Sequence, residues 1–217
     1  MAAAPKAQGG APLPAKLAGL LREAKWLLVV AVAGYLLLIL ATHHGQDSGW
    51  SRQETGGAIR NAGGRIGAWL SDVLLSVFGW SAFWWVVLLL IVVVRGYRKL
   101  EPDAAVEPRP LWLPSLGFGV LLLGSAMLES LRLYGFAKGL PMDAGGILGA
   151  VLGKAGLALV GFTGATLLAL AATGIGWSLF TGVSWLRMAE LTGLLLETGW
   201  QLARGALEQR RDARLGE

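Results

Sequence analysis

The chain has 217 residues, 54% of them hydrophobic and only 15% charged, with 32 glycines, 10 tryptophans and a mean hydropathy of +0.57. So apolar a composition excludes an ordinary soluble domain of this length, and the absence of cysteine excludes a disulfide framework or a thiolate metal site. The net charge of +5 comes from 19 basic residues placed at the ends of apolar runs and not gathered on one patch, so no direct DNA binding is expected of this chain.

Residues 1–25 are rich in Ala, Pro and Gly and read as a cytoplasmic N-terminal tail. The apolar run Trp26–Ala41 predicts a first span near 26–42. It is followed by Thr42-His43-His44-Gly45 and not by a small-x-small cleavage site, so it is expected to stay as a span. Leu20 and Leu21 can extend it while Arg22 and Lys25 snorkel to the interface. The region Ile66–Val94, with Asp72 as its only charge, predicts a second span near 74–94 that ends at Arg95, Arg98 and Lys99. Leu111–Leu128 predicts a third near 111–129, stopping at Glu129 and Arg132. The uncharged run Ala155–Leu186 predicts a fourth near 157–180 with an interfacial extension. The expected fold is thus all-α: a polytopic membrane protein whose residues 26–186 form a four-span domain.

Beyond it, Arg187, Glu190, Glu197, Gln201, Arg204, Glu208 and Arg211 make a polar stripe opposite Trp185, Met188, Leu195, Leu196, Leu202 and Leu207. Residues 187–217 therefore read as a C-terminal amphipathic helix, on the cytoplasmic face or prolonging the fourth span, that leads to a linker. Lys and Arg set the orientation. The N-terminal tail, the middle loop and the C-terminal segment together hold thirteen of them, and the two remaining loops hold six. The positive-inside rule places the richer set in the cytoplasm, so both termini are expected there.

No phosphate loop, H-E-x-x-H or G-x-S-x-G motif occurs, and no enzyme activity, cofactor or metal is expected of this chain. The adjacent His43 and His44 point apart in any regular element and make a poor joint metal site. Asp72 and Glu129, the charges within apolar runs, fall near predicted periplasmic ends, where a structural role is expected, with Arg132 as a helical partner of Glu129. Gly145, Gly149 and Gly153, continued by Gly161, Ala165 and Ala169, recur every four residues and are candidates for close helix packing.

The most distinctive stretch runs from Asn61 to Asp72. Its Gly63, Gly64 and Gly67 break helical propensity, which predicts a tight turn at the outer leaflet leading into the second span. Trp69 is expected at headgroup level, and Asp72, in the first turns of the helix, is expected to face the positive end of its dipole. The block is a candidate periplasmic interaction or anchoring surface.

Asn61-Ala62-Gly63-Gly64-Arg65-Ile66-Gly67-Ala68-Trp69-Leu70-Ser71-Asp72, followed by Val77-Phe78-Gly79, resembles the N-x-G-G-x-x-G-A-W-L-x-D block in the N-terminal membrane domain of the FtsK/SpoIIIE family of DNA translocases. Asp47-Ser48-Gly49-Trp50-Ser51 is similar to the family's D-P-S-W-S segment, with the proline absent. Gly145-Gly146-Ile147-Leu148-Gly149 and Leu179-Phe180-Thr181-Gly182-Val183-Ser184-Trp185 stand at the expected places around the fourth span. The resemblance implies a membrane-anchoring and septum-interaction domain of a cell-division translocase involved in chromosome segregation. It implies location in the bacterial inner membrane at the division septum, with the lipid bilayer and other septal membrane proteins as partners. It also implies self-assembly, as a hexamer in full-length relatives, whose separate motor uses ATP and Mg. A small transporter or channel subunit is the alternative. It requires polar groups at mid-membrane or broken half-helices, whereas these spans offer mainly Ser, Thr and Gly.

Overall fold

The structure is a computed structural model that describes residues 15–51, 58–98, 110–137, 139–184, 187, 189–190, 192–201 and 204. The expected tail over 1–14, the loop around Arg52, residues 99–109 and Lys138 lie outside them. Among the described residues the α-helices delimited at both ends are, in order, α1 Ala15–Ala41, α2 Gly64–Phe78, α3 Trp84–Arg98, α4 Trp112–Arg132 and α5 Gly146–Thr181. A 3₁₀ turn, Gly79–Phe83, joins α2 to α3, another follows α4, and no strand occurs among the described residues. The fold is all-α, and four stretches are long and apolar enough to cross a membrane: Gly19–Ala41, Gly64–Gly96, Trp112–Arg132 and Gly146–Thr181. Helix already covers the last part of the expected tail, from Ala15. The described residues beyond 184 are helical too, with Leu195, Leu196 and Trp200 exposed.

Many large apolar side chains face outward, and alanines share the interior with a few large residues such as Ile39, Leu121 and Phe180. Leu27, Leu28, Leu167 and Leu168 face outward, while Ala33, Ala126, Ala165 and Ala169 are buried. Lipid removes the hydrophobic reason to hide large side chains, so small residues that let backbones approach can share the interior. The most extensive contact is between α4 and α5. Gly117 lies against Phe180 and Leu179, Gly124 against Ala172 and Thr173, and Gly176 against Leu121, so a Cβ at any of these would clash. Toward the start of α4, where α5 ends, Phe118, Leu121, Leu122 and Phe180 form an aromatic-rich cluster with α3, the Phe118 ring lying 5.1 Å from Trp85 and 5.2 Å from Phe180. There Arg95 of α3 donates to the carbonyls of Phe180 and Thr181 at 2.7 and 3.1 Å, satisfying orphan acceptors at the end of α5.

Not all of the apolar sequence runs along the spans. The end where α1 and α4 finish is here called distal. α3 returns beside α1, with Gly96 against the Trp26 ring. Trp84 is as many residues from Gly96 as Leu38 is from Trp26, so α3 begins level with the distal end of α1. Yet α2 also touches that level at its start, where Gly63 and Gly67 abut Ile39, and at its finish, where Gly79 abuts the Ala144 carbonyl. A helix of 15 residues, about 22 Å long, that begins and ends at one level lies across the bundle. The expected second span near 74–94 is therefore not one straight helix, because it turns at Gly79.

The first limb of α5 does the same. Gly145 and Gly149 meet the Ala126 carbonyl, Gly153 faces Ser130, and Gly156 faces Met127, all in the last turns of α4. At Gly161 (φ 69°, ψ 179°) the helix bends sharply. A Cβ on Gly156 would come within 3.1 Å of the Ala165 Cβ, where a straight helix would hold those residues about 13 Å apart. The second limb then descends along α4. The bend falls inside the expected fourth span near 157–180, and residues 146–160 lie across the distal end.

Both halves of the chain follow one plan: a span out, a turn, a transverse helix, a glycine break and a span back. The sequence repeats with it. Asn61-Ala62-Gly63-Gly64-Arg65-Ile66-Gly67-Ala68-Trp69-Leu70 matches Asp143-Ala144-Gly145-Gly146-Ile147-Leu148-Gly149-Ala150-Val151-Leu152 as [ND]-A-G-G-x-[IL]-G-A-x-L. Gly79 follows Gly64 at the same distance as Gly161 follows Gly146. The backbone agrees: Gly64 and Gly146 have φ of 65° and 62°, and their N–H groups donate to the Asn61 and Asp143 carbonyls at 2.9 and 2.8 Å.

Candidate functional site

The Asn61–Asp72 block is built inward. The turn at Asn61–Gly63 leads into α2, and the Asn61 side chain ties three elements at once. Its Nδ2 donates to the Ile39 carbonyl at 2.9 Å and to Ser71 Oγ at 3.3 Å, while its Oδ1 accepts from the Gly63 N–H at 2.9 Å. Glycine at 63 and 67 is required because Ile39 and Asn61 occupy the space of a Cβ. Asp47 receives the N–H groups of Arg60 and Asn61 at 2.9 and 2.8 Å, and Thr42 Oγ1 receives the Ala62 N–H at 3.1 Å.

Asp72 closes the loop from the other side. Its carboxylate accepts from Ser51 N at 2.6 Å and Ser51 Oγ at 2.9 Å, and Gly49 leaves the room for it. Helix α2 begins at Gly64 and has no acidic residue in its first turn, so the expected dipole role of Asp72 is corrected. The dipole's effect fades within one turn, and Asp72 lies two turns further on, serving as the acceptor that seats the loop. His43 Nδ1 lies 3.2 Å from Ser71 Oγ. Among the described residues no group of three or more His, Cys, Asp or Glu could hold a metal ion. Asn61, Gly67 and Asp72 are thus interior, and Gly63 is packed against Tyr35 and Ile39, whereas Gly64, Ile66 and Trp69 face outward.

The glycine strip divides by role. Gly145, Gly149 and Gly153 sit against α4, and Ala165 and Ala169 are buried. Gly161, expected with them as a packing residue, has nothing within 4 Å of a built Cβ. What it supplies is a positive φ at the bend.

A second polar cluster joins the halves, and local periodicity gave no sign of it. Glu129 accepts from Ser81 N at 3.1 Å and from Ser81 Oγ at 2.7 Å, and Ser81 Oγ lies 2.7 Å from Ser125 Oγ. Arg132, the expected partner of Glu129, instead donates from Nε to Thr166 Oγ1 at 3.3 Å and stacks 4.5 Å over the Phe162 ring. Beside this cluster Trp80 N donates to the Ala144 carbonyl at 2.9 Å. The break at Gly79 thus faces backbone of the same chain at the distal end, and the break at Gly161 is exposed. They do not face each other across mid-membrane, as a transported substrate would require.

The family model for the 4TM region of DNA translocase FtsK/SpoIIIE matches residues 18–193. The chain is 41% identical to DNA translocase FtsK 2 of Ralstonia nicotianae over 95% of its own length and 27% of the relative's. It is 35% identical to DNA translocase FtsK of Vibrio vulnificus over 81% of the chain and 18% of the relative, and 34% identical to that of Shewanella oneidensis over 82% and 20%. The chain therefore spans about a fifth to a quarter of the length of these relatives. No solved structure matches it. Four apolar stretches, the many large apolar side chains that face outward and a family match over most of the chain lead to one conclusion: this is a membrane protein that belongs to the FtsK/SpoIIIE family and comprises its four-span membrane region.

Proposed function

We propose that the chain is the membrane anchor of a cell-division DNA translocase, with both termini in the cytoplasm and the distal end in the periplasm, holding at the division septum a motor that acts in chromosome segregation. The carrying observation is the family match over residues 18–193, together with relatives named as DNA translocases of which this chain covers only the membrane region. The ATP and Mg that drive pumping belong, on this reading, to a motor outside these residues. The anchor's task is mechanical. A motor that hauls DNA pulls back on its tether, and four spans give effectively irreversible insertion, which no single lipid chain or surface helix matches. The thirteen basic residues assigned to the cytoplasmic side support the orientation. The inward-built Asn61–Asp72 block supports an anchoring role for its interior residues, and it leaves Trp69 as the outer-leaflet marker.

Two measurements test this. The chain fused to a fluorescent protein should gather at midcell in dividing bacteria; uniform membrane fluorescence would overturn the septal assignment. Cysteines at Arg98 or Arg210 should resist an impermeant thiol reagent in intact cells while cysteines at Arg52 or Lys138 react, and the opposite pattern would reverse the orientation.

A further inference from the structure

The transverse helices of the two repeats meet end to end at one junction, and each leaves its other end unused. Within the chain, the end of α2 butts against the start of the α5 limb: Gly79 lies on the Ala144 carbonyl, Gly146 lies on the Val77 carbonyl, and Trp80 N donates to Ala144. Ala144 is 0% exposed, and Gly146 and Gly79 are buried. The equivalent positions of the other repeat are open. Ala62 and Gly64, which match Ala144 and Gly146, are exposed. So is Gly161, which matches Gly79, and Leu159, which matches the half-buried Val77, is 82% exposed. Among the described residues nothing lies within 4 Å of a Cβ built at Gly64 or Gly161. The φ angles of these exposed ends match those of the joined ones, 65° at Gly64 against 62° at Gly146 and 69° at Gly161 against 60° at Gly79, while ψ is 179° at Gly161 and −140° at Gly79.

We propose that the open ends are the two halves of a contact between copies of this chain, with Leu159–Phe162 of one copy seated on Ala62–Gly64 of the next as Val77–Trp80 is seated on Ala144–Gly146 within each copy. The occupant is a second copy because the complementary shape already exists in this sequence and is already used. The contact joins different surfaces, and where neighbours are not related by a half-turn it is heterologous: a copy docked at one end still offers the other, and assembly proceeds beyond two. The bilayer fixes the orientation of every copy, which confines the rotation between neighbours to an axis along the membrane normal and favours a closed ring. The helix ends also match electrostatically, since the carbonyl end of one transverse helix meets the N–H end of the next. This inference does not depend on septal location or on a motor.

The absence of cysteine makes the test clean. Two differently tagged copies of the chain, one carrying Ala62→Cys and the other Phe162→Cys, are co-expressed and treated in native membranes with a short bis-maleimide. Mixed-tag dimers are expected from this pair, with at least tenfold less product from Ala62→Cys or Phe162→Cys paired with itself, and a ladder beyond two copies is expected when both are on one chain. Labelling of each cysteine by a monofunctional maleimide after denaturation establishes that it is present and reactive. Equal or greater self-pairing would overturn the proposal in favour of contacts between like ends, and no mixed product would overturn it in favour of lipid or another segment at these ends. Independently, Ala62→Trp should reduce the mass of the lipid-nanodisc particle from several copies to one without moving its thermal midpoint. An unchanged mass, or a wild type already of one or two copies, would also refute it.

Discussion

The two repeats use one backbone plan with opposite chemistry. In the second, the face of the transverse helix that meets its span is Gly145, Gly149 and Gly153, and at the first two backbone lies against backbone. In the first, the matching positions are Gly63, Gly67 and Ser71, and the last of these brings a hydroxyl that lies within hydrogen-bond distance of His43 and Asn61. One step further, buried Asp72 matches exposed Lys154. The second repeat is thus held by close approach and the first by a polar lock on a longer loop. Close approach is the stronger device in lipid, where dispersion and backbone contact replace the hydrophobic effect. A polar lock suits a segment that reaches into water.

The sharpest way to break this comparison is at the two glycine breaks. Both Gly79 and Gly161 occupy a region with positive φ and extended ψ that is essentially closed to other residues, and alanine in either should cost about 1–3 kcal/mol in strain. At Gly79 the new Cβ would also collide with the Ala144 carbonyl, adding about 1–3 kcal/mol of overpacking. Thermal unfolding in a single detergent should therefore rank Gly79→Ala well below Gly161→Ala. Equal midpoints would show that the junction inside the chain contributes little, and the case for its reuse between copies would weaken with it.

The next contrast is between a packed and an unpacked glycine in the spans and the limb. Gly149→Leu must displace the Ala126 carbonyl and should destabilise by about 1–3 kcal/mol. Gly34→Leu in α1 meets nothing within 4 Å and should be neutral or stabilising, by up to about 1 kcal/mol of helix propensity. Opposite signs in the same unfolding assay are the expected result. Matching losses would mean that α1 is packed against something at Gly34.

How far these features were legible in the sequence depends on their range. Hydropathy and charge placement locate the apolar stretches, because both are local sums. They cannot give direction: Leu70, Val73, Leu74 and Leu75 are as apolar in a helix lying across the bundle as in one passing through it. The breaks at Gly79 and Gly161 are likewise hidden, since a single glycine inside an uncharged run is ordinary in a membrane helix. A signal did exist in the [ND]-A-G-G-x-[IL]-G-A-x-L repeat, which appears on comparing the chain with itself and not in any window of hydropathy. The i to i+3 spacing pointed Glu129 at Arg132. Ser81, its partner from another helix, is beyond any local rule.

The finest test concerns the polar lock alone. Asp72 holds Ser51 by two hydrogen bonds, one from the backbone and one from the hydroxyl, and hydrogen bonds to a charged group contribute about 1.5–3 kcal/mol each where water is excluded. Ser51 is exposed and Asp72 is buried, so water can replace much of what Ser51 loses, and Leu75 of α2 packs in a cluster with Ile39, Leu40, Ala82 and Val86, outside the loop. Asp72→Ala should therefore act locally. Trypsin applied to the distal face should cut at Arg52 or Arg60 several-fold faster, while the thermal midpoint falls by only a few degrees. Asp72→Asn keeps the shape and one acceptor oxygen, so its cleavage rate should lie between those of Asp72→Ala and the parent chain. Lys154→Ala, at the equivalent exposed position of the second repeat, should change neither measurement. If Asp72→Ala lowered the midpoint as far as Gly79→Ala, the lock would belong to the core of the domain, and the division of labour between the repeats would be wrong.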